Sequence, residues 1–148
     1  MSKAIAEIDS LLNKLDTNKN DSNKNGFKFG DKLTFENVRQ LMYKFVDERD
    51  WHQYHQPRNI LLALVGEVGE LSEIFQWKGE CKVGLKNWNN KDLTHLGEEI
   101  SDVLLYLIRL SDVCNIDITK AVLNKMKKNE LKYPAKLVKG KSKKYNEY

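Results

Sequence analysis

Between Thr34 and Pro134 apolar side chains recur every three or four residues, and nowhere do they alternate strictly with polar ones. This periodicity admits helices and leaves no room for a sheet. Thr34 is a good N-cap, and the segment FENVRQLMYKFVDERD after it places Phe35, Val38, Leu41, Met42, Phe45 and Val46 at helical spacing. Pro57 stands where proline is best tolerated, in the first turn of a second helix that runs to about Trp77. Residues 78–90, with Gly79, Gly84 and three asparagines, read as a loop. A third helix is expected from about Lys91 to Cys114, and a fourth from Ile118 to Lys132, ended by Pro134. The expected fold is all-α, with four core helices in a bundle.

The flanks differ in composition. Ile5, Ile8, Leu11, Leu12 and Leu15 give residues 2–15 the spacing of a short amphipathic helix, whereas 16–31 (DTNKNDSNKNGFKFGD) is too polar for a core and reads as a flexible linker. The organisation expected is therefore residues 1–31 as helix plus linker, 32–134 as the folded domain and 135–148 as a basic tail. Charge follows the same division. Of the formal +4, residues 125–148 hold nine lysines against two glutamates, so the body is acidic and the tail basic. A basic tail can meet an anionic surface or remain simply solvated. No apolar run approaches the roughly 18 residues of a membrane span, and no basic-then-apolar leader is present, so a soluble, cytoplasmic protein is expected. Cys81 and Cys114 lack C-x-x-C spacing, which supports neither a disulfide framework nor a thiolate zinc site.

The acids of the second and third helices carry the chemistry. With Glu67 at zero and about 100° per residue, Leu71, Leu64, Phe75 and Val68 fall at about 40, 60, 80 and 100°, and Glu70 at about 300°. The third helix repeats the device: with Glu99 at zero, Val103, Leu96, Leu107 and Ile100 take those same angles and Asp102 falls at about 300°. Each helix thus carries one acid on the shoulder of its apolar stripe and a second three residues later. Glu-x-x-Glu and Glu-x-x-Asp pairs are common on solvated faces. Their repetition at the same angle on adjacent helices instead favours a shared site, because ionised carboxylates so placed need compensation. Hard oxygen ligands suit Mg²⁺, with Mn²⁺ as a substitute. Glu73 reads equally as an outer ligand or a solvated residue, and Glu98 as solvated. A carboxylate-bound Mg²⁺ usually meets its substrate through phosphate oxygens, which points to phosphoanhydride chemistry. No Gly-rich phosphate loop is present, since Gly66 and Gly69 lie inside a helical pattern with no G-K-[ST] after them.

Three segments, ERDWHQYHQPRNILLALVGEVGELSEIFQW (48–77), EEISDVLLYL (98–107) and KMKKNELKYP (125–134), closely resemble the eukaryotic dCTP pyrophosphatases, a branch of the all-α MazG-type nucleoside triphosphate pyrophosphohydrolases. The pattern of that superfamily, E-x-x-E and then E-x-x-D, is met by Glu67, Glu70, a 28-residue spacer, Glu99 and Asp102. The resemblance implies hydrolysis of a nucleoside triphosphate between the α and β phosphates, with Mg²⁺ on those four acids. It implies dCTP and its 5-modified forms as substrates, a role in nucleotide-pool sanitation, and a homo-oligomer, commonly a tetramer, whose subunits complete one another's sites. By the same correspondence Trp51 and Trp77 look like walls for the base and Tyr106 like a further nucleotide contact, although each tryptophan has a core or interface role as its plain alternative. Lys125, Asn129 and Lys132 resemble the phosphate-side residues. One position departs: the dCTP branch carries a histidine where this chain has Met42, and a thioether cannot replace its hydrogen bonds. His52, His55 and His95 do not stand in for it; His55 is expected to fix its turn. Two other readings follow. Met42 allows a pyrophosphatase for another triphosphate, such as dUTP or a damaged nucleotide. The lysine tail allows a non-catalytic helical oligomer that binds nucleotide or nucleic acid, and its KGKSKKY could serve as a weak nuclear signal; nucleic acid is not the expected partner.

Overall fold

The computed structural model of the chain describes residues 2–16, 29–30 and 32–141. Among them every regular element is a helix: α1 (Lys3–Asp16), α2 (Phe35–Asp47), α3 (Pro57–Gln76), α4 (Asn90–Val113), α5 (Ile118–Lys132) and the single turn α6 (Ala135–Val138). The all-α expectation holds, and the ends of α2 to α5 fall where local chemistry puts them. Thr34 and Asn37 form a reciprocal capping box at the start of α2. Pro57 opens α3, where a missing N–H costs nothing. Asn89 accepts from the Asp92 N–H, and Asp117 accepts from the Lys120 N–H, which caps α4 and α5. The loop between α3 and α4 turns through Gly79 and Gly84, both at positive φ.

The contacts divide the chain into two units, residues 1–115 and 116–148. In the first, α3 lies along α4 in the most extensive pairing, α2 packs on α4, and α1 packs on α2. The core is small: Ile60 and Leu64 of α3, Leu96 and Ile108 of α4, Val38 and Val46 of α2, and Ala4 of α1. The first helix therefore belongs to the packed body. Its Ala4 N–H donates to Glu48 Oε1 at 3.1 Å, and its Glu7 pairs with Lys44. Most of the expected 16–31 linker and the end of the tail lie outside the described residues. The second unit carries α5 and α6, in neither of which is any side chain fully buried.

The described residues leave much apolar surface exposed. Leu61, Leu62, Val65 and Val68 of α3 and Ile100, Leu104 and Leu107 of α4 are all exposed. Patches of this kind mark surfaces that another body covers. Cys81 and Cys114 are free thiols. Among the described residues no helix is long and apolar enough to cross a membrane.

Candidate functional site

Helix α3 carries Glu67 and Glu70 one turn apart, α4 carries Glu99 and Asp102 likewise, and the pairing of the two helices brings these acids together. One carboxylate oxygen each from Glu67, Glu70 and Glu99 lie within 4.8 Å of one another. Depth differs among them. Glu70 is exposed, Glu67 half-buried, and Glu99 only 8% exposed. Glu99 Oε1 sits 3.2 Å from His95 Nε2, while Oε2 is buried with no hydrogen-bond partner among the described residues. A buried acceptor without a donor costs about 1–3 kcal/mol, more when charged. Asp102 stands outside the tight set of three but near it, since its charge is felt at both Glu67 and Tyr106.

The electrostatics are those of like charges gathered in one place. Burial pushes the Glu67 carboxyl above its ordinary 4.5, and the negative charges of Asp102, Glu70 and Glu99 push it further. Burial, then Glu67 and Asp102, likewise raise the Tyr106 phenol, which keeps it a neutral donor beside the acids. Three converging hard oxygens, one of them deep and unpartnered, fit a divalent cation of the Mg²⁺ or Mn²⁺ type better than a soft metal.

Beside the acids runs a groove of about 350 Å³ lined by Glu70, Glu73, Trp77, Lys78, Asp92 and His95, among others. Trp77 follows the last turn of α3 with 79% of its surface exposed, so it is no core residue. Lys78 pairs with Asp92, and its Nζ lies 5.0 Å from the Trp88 ring centroid. Glu73 lines the groove without joining the three converging carboxylates, and Glu98 is exposed. His95 is the residue that sequence reasoning missed here. Its signal was the spacing to Glu99, which places the two side chains on one helical face.

Trp51 belongs to the turn that leaves α2. Asp50 takes φ +53°, the Trp51 N–H donates to Val46 O at 3.0 Å, and the indole, 42% exposed, meets the Phe45 ring edge-on at 6.0 Å. Met42 is half-buried on α2. His55 does fix this turn, through a partner the sequence did not announce: Arg109 of α4 donates its Nε–H to His55 Nδ1 at 3.2 Å. Lys125, Asn129 and Lys132 lie in the second unit, exposed at spacings that put them on one face of α5, with Lys132 Nζ 5.6 Å from the Tyr133 ring.

Residues 63–148 match the MazG-like family, a span that holds all four acids and begins after Trp51. The human (Homo sapiens) dCTP pyrophosphatase 1 is 50% identical over 121 residues, which cover 82% of this chain and 71% of that protein. The Rattus norvegicus dCTP pyrophosphatase 1 is 49% identical over the same shares. Among solved structures, a pyrophosphatase from Archaeoglobus fulgidus superposes with a TM-score of 0.58 at 38% identity, over 72% of this chain and 99% of that one.

Proposed function

The chain belongs to the MazG-like family, and from that premise we propose that it hydrolyses dCTP to the nucleoside monophosphate and pyrophosphate, with Mg²⁺ held by Glu67, Glu70, Glu99 and Asp102. The observation that carries the reading is the convergence of three carboxylates around a buried Glu99 oxygen that has no donor of its own. Curated relatives at half identity carry the substrate.

In the reaction a water oxygen forms a bond to phosphorus, its proton passes to a carboxylate, and the bond from that phosphorus to the anhydride oxygen between the α and β phosphates breaks, giving the monophosphate and pyrophosphate. When bound, the cation neutralises charge on the phosphate oxygens and lowers the cost of bringing them to four acids. The chain's own groups do the rest. A glutamate of the cluster orients the water and takes its proton. The neutral Tyr106 hydroxyl donates towards the nucleotide, and Trp51, partly exposed, and Trp77, largely open to solvent, offer faces on which a pyrimidine stacks. The phosphate-side role of Lys125, Asn129 and Lys132 rests on the family pattern.

The protein acts as a homo-oligomer, a tetramer by that pattern, and the uncovered apolar residues of α3 and α4 supply the face. Its setting is the cytoplasm, where nucleotide pools are cleared.

The test is a panel of dCTP, 5-methyl-dCTP, dUTP and the other triphosphates assayed for pyrophosphate release with Mg²⁺ and with chelator. dCTP and its 5-methyl form are expected to give the highest kcat/KM, and chelation to abolish turnover. Absence of pyrophosphate from dCTP, or a clear preference for dUTP, would overturn the substrate.

A further inference from the structure

Arg109 is the one charged side chain besides Glu99 that the described core buries, at 4% exposure. A guanidinium so placed must spend its donors on defined partners. It does so three ways. Nη1 donates to Asp112 Oδ2 at 2.5 Å, Nε to His55 Nδ1 at 3.2 Å, and Nη2 approaches His52 Nδ1 at 3.5 Å. Asp112 also accepts from Arg39 of α2 at 3.2 Å, so the group ties α4 to α2 as well as to the turn.

The Arg109 donor fixes the state of the His55 imidazole. A histidine that accepts at Nδ1 carries its proton on Nε2 and is neutral. His52 Nε2 in turn lies 3.1 Å from Asp47 Oδ1. For His55 the ring lies alongside the Trp51 indole, with centroids 6.5 Å apart and planes at 28°. Phe45 meets the Trp51 ring edge-on, and the Arg49 guanidinium lies 3.6 Å from the Phe45 centroid. Position along α4 matters too. Arg109 follows Asp102 by seven residues, two turns on nearly the same face, or about 10 Å along the axis, and Tyr106 stands between them. The anchor therefore sets the turn at about the distance that separates a base from its phosphates.

We propose that Arg109 and His55 are positioning residues for the base: Arg109 holds the neutral His55 ring by its Nδ1, and that ring holds the Trp51 indole in place as a stacking wall. The inference rests on the reading of Trp51 as a base-side residue. Protonation of His55 would replace the accepted hydrogen bond by a second positive charge against Arg109 and free the wall. The groups facing His55 agree with this: Arg109 from α4 and His52 from the turn, with Asp112 and Asp47 committed to those two. Burial first, then Arg109 and His52, hold its pKa below the ordinary 6.5.

Two variants and two readouts test it. His55→Phe keeps a ring beside Trp51 but cannot accept from Arg109, and Arg109→Lys loses the planar fork; the histidine variant serves if the arginine variant does not fold. In otherwise wild-type protein each is expected to raise KM for dCTP about tenfold, the order of one stacking contact, with kcat within about twofold and the Mg²⁺ requirement unchanged. The wild-type KM should climb as pH falls below about 6.5, and the His55→Phe profile should not. Independently of catalysis, a Trp77→Phe/Trp88→Phe protein has Trp51 as its sole indole. Its emission should titrate with a midpoint below 6.5, and His55→Phe should erase that midpoint. Trp51 emission indifferent to both substitutions overturns the positioning role, as does an unchanged KM. A wild-type protein that hydrolyses no triphosphate defeats the proposed function instead, and the emission titration then decides the positioning role alone.

Discussion

Glu99 gives one carboxylate oxygen to His95, 3.2 Å from its Nε2, and keeps the other buried with no hydrogen-bond partner among the described residues. An oxygen left this way is stabilised when a cation arrives. Mg²⁺ at about 100 times its Kd should add about 2.7 kcal/mol to the folded state, visible as a rise in Tm. In Glu99→Gln the rise should vanish. A variant that still responds to Mg²⁺ like the wild type would place the ion elsewhere.

His95 itself is exposed on its far side, so its effect should be moderate. Groups that orient a metal's ligands are worth about 10- to 100-fold in affinity. His95→Ala is expected near the lower end, with about ten times more Mg²⁺ needed for half-maximal pyrophosphate release and kcat at saturating metal nearly unchanged. A Mg²⁺ titration of the initial rate reads it directly.

Removing charge from the remaining acids should cut deeper. Several kcal/mol of transition-state stabilisation rest on a bound metal, and each 1.36 kcal/mol is tenfold. Glu70→Gln and Asp102→Asn are therefore expected to lower kcat by about 100-fold or more while circular dichroism stays helical. Near-wild-type turnover in either removes that residue from the site.

Stability without metal should fall as pH rises. Glu67 has its folded pKa above the ordinary 4.5, from burial and from Asp102, Glu70 and Glu99. The native state then holds a proton that the unfolded chain has released, so stability is highest in acid and declines as pH climbs above 4.5 and through the folded value. Comparing the Tm of metal-free wild type and Glu67→Gln from pH 4 to 8 isolates this contribution. The wild type should lose ground to the variant with rising pH, and Mg²⁺ should cancel the difference; parallel curves would contradict it.

Association should fail when the apolar face is charged. Leu104 and Val65 are exposed on α4 and α3, each two residues from an acid (Asp102 and Glu67) and so about 200° around its helix from it. Leu104→Glu or Val65→Glu should shift the mass measured by light scattering from oligomer to single subunit. If the wild type is itself a single subunit, the assembly is wrong.

The helices and their ends were legible because they are local matters: a capping threonine, a proline in a first turn, a proline after a last one. The acid pairs were legible for the same reason, since spacing along one helix fixes angle. What angle alone could not divide was the wide apolar stripe beside them. Leu64 and Leu96, three residues before Glu67 and Glu99, are buried, whereas Val68 and Ile100, one residue after, are 44% and 50% exposed. Both sets look alike in sequence, because apolarity does not say which part of the stripe the neighbouring helix covers. Arg109 was illegible for the opposite reason. An arginine in a helix is ordinarily solvated, and its burial depends on a turn some fifty residues earlier that folds back against α4. Met42 was noted as a departure, and its half-buried place on α2 leaves the question of cytosine recognition to the substrate panel.

Because the converging oxygens come from two rods, the spread between them measures how one rod is set against the other. Sliding α4 by a single residue would move Glu99 about 1.5 Å along its axis and swing it about 100° away from Glu67. An ion seated among those oxygens thus stitches the two helices in one register, and withdrawing it should loosen them first at this end, where amide exchange in residues 64–71 and 96–103 would quicken before the rest.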